Sequence, residues 1–277
     1  MTMRPFGKTG VKVSQLGLGG WHIGIQKERA ESIRLIQTAL DAGINFLDNS
    51  IDYNEGQSEL RMGEAIQGRR DRVFLMTKHN FRDKKSALRD LEISLKRLRT
   101  DYLDLWQFHS IERPEDPDWL FADNGAIAAA ELAKKQGKAR FIGFTGHKHP
   151  DYHLKMLAKP FAWDAIQMPL NVLDPHFRSF ERLVLPEAVK RRLGIVGMKP
   201  MVFQNAPKTG VISSIECLHY AMSLPVSVTI TGCETMERLE TAIEAVRTFK
   251  PLRPEELLAL RNRMLPFVKN GGKGVSP

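Results

Sequence analysis

Four residues of different chemistry stand at corresponding places in successive units of this chain. Asp48, Lys78 and His109 each close a short apolar run, and Tyr53 follows Asp48 by five residues. A carboxylate, an amine, an imidazole and a phenol gathered on one rim would make an acid. A phenol ordinarily titrates near pH 10 and parts with its proton reluctantly at neutrality. A neighbouring ammonium favours the tyrosinate and is expected to lower that value. Asp48 would hold Lys78 charged and oriented, while His109 could hydrogen-bond a substrate oxygen and set it against the Tyr53 hydroxyl. A polarised carbonyl beside a proton donor is what a hydride acceptor needs. No side chain supplies hydride, so it must come from a cofactor. Taken singly, Asp48 could cap a turn, Lys78 could lie at the surface and His109 could pack in a core. Their joint placement carries the reading.

The elements that must position these groups show as an alternation. Short β-rich apolar runs occupy Val13–Leu18, Asn45–Asp48, Val73–Lys78, Leu103–His109, Ala139–Thr145, Ala165–Met168, Gly194–Lys199 and Val226–Thr231. Between and after them lie stretches of helical periodicity, at Glu28–Ala42, Ser58–Gln67, Lys84–Arg99, Asn124–Gln136, Pro150–Ala158, Ser179–Arg192, Ile212–Ser223 and Thr235–Phe249. In the third of these, Leu88, Leu91, Leu95 and Leu98 form one apolar stripe against a charged face. Eight βα units in a chain of this length predict an α/β protein of the (β/α)8 TIM-barrel class, whose catalytic groups sit at the C-terminal ends of the strands. A doubly wound open sheet would place Gly-x-Gly-x-x-Gly after its first strand. Here Gly17-Leu18-Gly19-Gly20-Trp21-His22 has the wrong spacing. Met3–Phe6 and Val11–Val13, joined by Gly7-Lys8-Thr9-Gly10, read as an N-terminal β-hairpin able to cap the barrel floor. Pro254–Val268 reads as an extra C-terminal helix, and 269–277 as a flexible tail. With no interdomain linker, residues 1–277 are expected to form a single domain.

Composition bounds the function. The chain carries 41 Lys and Arg against 32 Asp and Glu, a net charge of +9. The cations are spread, in clusters such as Arg69-Arg70-Asp71-Arg72 and Lys190-Arg191-Arg192 that follow apparent helices, where they suit the C-terminal dipole. No basic stripe with interleaved aromatics calls for nucleic acid. No apolar run approaches the ~20 residues of a membrane-spanning helix, and Met1–Lys12 lacks the apolar core of a secretory signal. Two cysteines, Cys217 and Cys233, cannot build a disulfide framework. A cytoplasmic protein with a small-molecule partner is expected.

The motifs around these residues resemble the aldo-keto reductase family over nearly the full length. They are Gly7-Lys8-Thr9-Gly10-Val11-Lys12-Val13-Ser14 through Leu16-Gly17-Leu18-Gly19-Gly20-Trp21; Asn45 to Tyr53 followed by Gly56-Gln57-Ser58-Glu59; and Ser94 to Leu105 running into Gln107-Phe108-His109. The resemblance implies a catalytic tetrad of Asp48, Tyr53, Lys78 and His109, with Tyr53 as general acid. It also implies an NAD(P)H-dependent reduction of aldehydes or ketones, with NADP(H) favoured over NAD(H). Gln167 matches the family's carboxamide ligand, and Gly20 and Trp21 match the loop beside nicotinamide and substrate. Thr145 and Gly146 stand where Ser-Asn is usual. Met198 replaces a Tyr that often stacks on the nicotinamide, and Lys199 beside it could reach a phosphate. Arg238 matches the 2′-phosphate ligand, whereas Gly232 and Cys233 replace a Lys-Ser pair and Thr241-Ala242 replace Glu-Asn. Thr235 reads as the cap of the helix that carries Arg238.

His147, His149 and His153 follow the fifth strand and lie outside the family pattern. Such a set could hold a metal in a hydrolase barrel. No metal is assigned to them, and His147 is placed at the substrate pocket with Trp21 and His109. A cofactor-binding regulatory or channel-type subunit with the same fold is the other alternative.

Overall fold

The barrel strands are nearly all apolar because each is buried on both faces, one toward the barrel axis and one toward the surrounding helices. The computed structural model describes residues 1–202 and 204–269. In it a two-stranded hairpin, β1 (Met3–Pro5) and β2 (Lys12–Ser14), precedes the barrel strands. These are β3 (Leu16–Gly19), β4 (Phe46–Asp48), β5 (Phe74–His79), β6 (Leu103–Phe108), β7 (Ala139–Thr145), β8 (Ala165–Pro169), β9 (Gly194–Met198) and β10 (Val228–Gly232). All pair in parallel and in chain order, and β10 closes on β3 through Ile230 opposite Gly17 and Thr231 opposite Leu18. The expected (β/α)8 barrel with its N-terminal hairpin is therefore the fold. The expected C-terminal helix runs Pro254–Lys269, and residues 270–277 of the expected tail lie outside the described residues.

The period-two alternation of strands sorts the side chains. Phe46, Phe74, Met76, Leu105, Val196 and Val228 meet inside the barrel. Leu47, Leu75, Trp106, Ile142 and Ile195 belong to the outer layer under the helices. The hairpin closes the N-terminal end. Phe6 is fully buried, with its ring 4.8 Å from Phe74 and 5.9 Å from Phe46. Gly7 makes this possible: it sits at φ +56°, and a Cβ there would lie 2.4 Å from the Gly194 nitrogen.

The expected strand Val13–Leu18 is in fact two. Ser14 ends β2 opposite Met3 and the break falls at Gln15, with Ser14 Oγ donating to the Leu16 carbonyl at 2.7 Å and its nitrogen donating to Asn45 Oδ1 at 2.7 Å. One half therefore pairs in the hairpin and the other in the barrel. The expected helix Ser179–Arg192 is also divided, into Phe180–Leu183 and Leu185–Lys190. Pro186 has no N–H to continue the first segment. The stretch expected as Asn124–Gln136 is helical only from Ile127 to Lys135 and is preceded by a short helix Asp116–Leu120. Both cysteines are free and buried. Among the described residues no helix is long and apolar enough to cross a membrane.

Candidate active site

The strand period places the tetrad. Phe46 and Asp48, Met76 and Lys78, and Leu105, Gln107 and His109 are two residues apart, so the polar member of each set projects inward above the apolar interior. Lys78 is 1% exposed. Its ammonium donates to the Asp48 carboxylate in a short contact, to the Asn49 carbonyl at 2.7 Å and to Tyr53 Oη at 3.2 Å. Three donors thus meet three acceptors, which uses the full capacity of a lysine. The other Asp48 oxygen accepts from Gln167 Nε2 at 2.6 Å. Asp48, Tyr53, Lys78 and Gln167 therefore form one connected group. His109 stands beside it, its ring centroid 5.9 Å from that of Tyr53.

Burial opposes the Lys78 charge, but Asp48 and Tyr53 outweigh it and hold the pKa above the ordinary lysine value. Tyr53 departs from expectation. Burial of the phenol outweighs the nearby ammonium, Asp48 adds to the burial, and the pKa lies above 10.0 rather than below it. The resting hydroxyl is therefore protonated throughout the physiological range. His109 is pushed down to about 3 by burial first and by the Lys78 charge next, so its ring is neutral.

Tyr53 sits on a turn that is held from several sides. Asn54, Glu55 and Gly56 all have positive φ, at 51°, 56° and 86°, a conformation costly to non-glycine residues. Asn54 Nδ2 donates to the Trp21 carbonyl at 2.7 Å, and Arg97 Nη1 donates to the Ile51 carbonyl at 2.9 Å. Arg97 also pairs with Glu59, a fully buried carboxylate that accepts from Thr77 Oγ1 at 2.6 Å. Ser58 Oγ donates to the Gly20 carbonyl at 2.6 Å, which ties the glycine loop to the same helix. The Gly56-Gln57-Ser58-Glu59 stretch thus positions Tyr53 and Gly20 together.

A cleft of about 500 Å³ opens over this group. Of the expected site residues, Gly20, Trp21, Asp48, Tyr53, His109 and His147 line it on one side, and Gln167, Met198, Lys199, Gly232 and Arg238 on the other. A smaller lobe of about 220 Å³ continues past Arg238 along Ser214, Thr241 and Ala242. Trp21, 51% exposed, meets Tyr53 edge to face at 5.3 Å. Thr145 and Gly146 do not line the cleft. The segment after His109 covers them: the Ile111 nitrogen donates to the Thr145 carbonyl at 2.9 Å, and a Cβ on Gly146 would lie 2.5 Å from the Ile111 oxygen.

The cleft suits a dinucleotide. Gln167 Oε1 and Thr231 Oγ1 are buried without a hydrogen-bond partner, and both residues line the cleft. Such atoms are normally satisfied. Two cations, Lys199 and Arg238, face the same space. Burial lowers the Lys199 pKa to about 8, with Glu112 opposing. Thr235 caps its helix as expected, accepting from the Arg238 nitrogen at 3.3 Å. Gly232 leaves room for His22, whose ring a Cβ there would overlap.

Sequence reasoning missed His22, Ser50, Asp52 and Glu234. Ser50 Oγ lies 3.1 Å from His109 Nδ1 and donates to Asp52. Glu234 pairs with Arg238 at 3.2 Å. A run of polar residues just past a strand end, Asn49-Ser50 and Asp52, was the available signal. The three histidines after β7 go different ways. His147 faces the cleft, 3.5 Å from Glu112. His149 caps the helix Pro150–Ala158, accepting from the Asp151 nitrogen. His153 is fully buried against Phe144 and Phe180, with its Nε2 3.2 Å from the Gln167 carbonyl. Among the described residues no group of three or more His, Cys, Asp or Glu is placed to hold a metal.

Known proteins agree with this architecture. The profile of the Aldo/keto reductase family matches residues 15–211. Aldo-keto reductase YhdN of Bacillus subtilis (strain 168) is 33% identical over 201 residues, 67% of this chain and 57% of that protein's length. Methylglyoxal reductase YeaE of Escherichia coli (strain K12) is 32% identical over 212 residues, 74% of this chain and 70% of that protein. An aldo/keto reductase from Klebsiella pneumoniae, solved in complex with NADP and acetate, superposes with a TM-score of 0.75 at 22% identity, covering 95% of each chain. With its parallel barrel and a family match over most of the strands that carry the cleft, this chain belongs to the aldo/keto reductase family.

Proposed function

We propose that the protein reduces aldehydes or ketones to alcohols with a nicotinamide cofactor, NADP(H) in preference to NAD(H), and that Tyr53 gives the proton. The observation that carries this reading is the contact between the buried Lys78 ammonium and Tyr53 Oη at 3.2 Å, with Asp48 behind it. The raised Tyr53 pKa keeps the proton on the phenol until a carbonyl oxygen gains negative charge beside it. As the proton leaves, the Lys78 ammonium stabilises the tyrosinate in a site screened from water. Asp48 holds that ammonium in place through the transfer, and Gln167 holds Asp48. His109 and Trp21 border the space in front of the hydroxyl and orient the substrate there, with His147 at its edge.

When bound, the dihydronicotinamide supplies the hydride. Gln167, with its amide oxygen unpartnered, fits the carboxamide, and Gly20, Trp21 and Met198 fit the walls around the ring. Lys199 and Arg238 fit phosphates, and Gly232 lines the same cleft. The E. coli relative's description as a methylglyoxal reductase and the NADP in the K. pneumoniae structure support the same reading.

The test is Tyr53→Phe, assayed by cofactor oxidation with a panel of carbonyl compounds and by fluorescence titration of NADPH and NADH. Turnover should fall by about 10²–10⁴-fold, the worth of a positioned general acid, with NADPH binding nearly unchanged. Wild-type turnover in this variant would remove Tyr53 from the acid role, and failure to bind either cofactor would sink the whole proposal.

A further inference from the structure

The turn that carries Trp21 also brings an imidazole to the cation-lined side of the cleft. His22 belongs to the short 3-10 turn Gly20–Ile23 and is half-buried. It lines the cleft together with Lys199, Lys208, Gly232, Glu234 and Arg238. Its ring is wedged over Gly232, where a Cβ would overlap Nδ1. The turn is tied down from two sides. Arg61 Nη1 donates to the Ile23 carbonyl at 3.1 Å and to the Gln26 carbonyl at 2.9 Å, and Gln26 Nε2 donates to the Glu234 carbonyl at 3.0 Å. No hydrogen bond from a described residue acts on either nitrogen of the His22 ring. The charged groups that do act on it are Glu234 and Arg238, from the segment after β10. Arg61, from the helix Gln57–Ala65, is turned to the carbonyls of the turn, and Lys199, Lys208, Asp48 and Asp52 stand elsewhere around the cleft. Burial lowers the His22 pKa, Glu234 opposes the fall and Arg238 adds to it. The free ring is therefore mostly neutral at pH 7.

We propose that His22 is a ligand for a cofactor phosphate and holds it as the imidazolium, so that the chain takes up a proton when the dinucleotide enters. The inference rests on the nicotinamide-dependent reading above. A phosphate presents acceptor oxygens, and an imidazolium offers two N–H donors with charge where the neutral ring offers one. A lysine or arginine in this place would be charged before and after binding. A histidine is charged only while an anion stands beside it. The sign of the pH dependence follows. The ring holds its proton more tightly in the complex than in the free chain, so its contribution to affinity is complete at acid pH and is lost as pH rises through the bound-state value. A phosphomonoester's own second ionisation, near pH 6, works in the opposite direction. The effect of His22 is therefore the difference between wild type and His22→Asn.

Calorimetry of NADPH and NADH binding to the full chain, in buffers of different ionisation enthalpy, counts the protons taken up. At pH 7 the wild type should take up about half a proton more than His22→Asn. Between pH 6 and pH 8 its affinity should fall by about fivefold more than that of the variant. His22→Lys carries a permanent charge; it should bind at pH 8 about as tightly as the wild type does at pH 6, and it should lack the His22 share of the uptake. Lys199, with its pKa of about 8, is present in all three chains and cancels in the differences. An excess uptake seen with both dinucleotides places the ring at the pyrophosphate, and one seen with NADPH alone places it at the 2′-phosphate. Equal uptake and equal pH dependence in wild type and His22→Asn, with both dinucleotides, overturn the inference while leaving the nicotinamide reading intact. If His22→Asn does not fold, the wild type against His22→Lys gives the same difference in uptake. A chain that binds neither dinucleotide refutes the nicotinamide reading and this inference with it.

Discussion

Replacing Lys78 by methionine removes the charge that the proposed acid step depends on while keeping an unbranched chain of similar length. If full negative charge developed on Tyr53 Oη, an ammonium 3.2 Å away would contribute about 5 kcal/mol at an effective dielectric of about 20, from 332/(20 × 3.2). Proton transfer that is half complete in the transition state would draw on about half of that. The expected loss in kcat is therefore between about 10²- and 10⁴-fold, at about 1.4 kcal/mol per factor of ten. The single variant has a second effect. It strands the Asp48 carboxylate, 4% exposed, with only the Gln167 amide, and an unpaired buried charge costs about 3–5 kcal/mol of stability. The double variant Asp48→Asn/Lys78→Met separates the two. Both variants should turn over equally slowly under saturating cofactor and carbonyl, followed by loss of dihydronicotinamide absorbance. Only the single variant should melt far below the wild type. A double variant whose kcat stays within about threefold of wild type would refute stabilisation of the tyrosinate by the ammonium.

Glu234→Gln should tighten NADPH relative to NADH by roughly fivefold, the ~1 kcal/mol of one solvent-screened like charge near the phosphate that Arg238 would hold; equal shifts for both cofactors in a fluorescence titration would place Glu234 away from that phosphate. Arg97→Ala should lower stability in urea melts by about 3 kcal/mol, because the fully buried Glu59 carboxylate loses its cation, and adding Glu59→Gln should recover most of the loss. His79 has a folded pKa of about 3 from burial, with Arg82 adding to it, and neither ring nitrogen has a partner. The unfolded chain binds its proton below about pH 6.5 and the folded chain does not, so stability from this residue is present above pH ~6.5 and drains as pH falls toward 3. His79→Phe should therefore flatten the decline of melting temperature between about pH 7 and pH 4.5, and an unchanged slope would remove His79 as a contributor; His109, His147 and His153, all shifted the same way, keep part of the decline in place.

The fold was legible where one local pattern decides the element. The helix Lys84–Leu98 could be read from four leucines, and the helix Pro150–Ala158 and the strand Ala139–Thr145 coincide with their expected bounds. It was illegible where a single polar contact divides a continuous apolar pattern. Nothing in the run Val13–Leu18 announces that Ser14 turns its hydroxyl onto Leu16, since that bond exists only once Asn45 arrives from the next unit to take the Ser14 nitrogen. Pro186, by contrast, was visible. Its consequence was missed because a proline near a helix start is also tolerated.

At the site, strand alternation explains both the successes and the failures. Asp48, Lys78 and His109 follow inward-facing residues at intervals of two, so their convergence is a consequence of the period. The expected strand stops at Asp48, but its pairing with β5 runs on: the Asn49 nitrogen donates to the Met76 carbonyl and the Ile51 nitrogen to the Lys78 carbonyl, before the turn at Tyr53 enters its left-handed run. Asp48 is thereby directed at Lys78, and Ser50 and Asp52 at His109, one unit further around the barrel. The Tyr53 pKa failed for a related reason. Sequence shows which charges can lie near the phenol, but the sign depends on how completely water is removed, and that follows from packing between segments far apart in the chain, such as Trp21 against the Tyr53 ring.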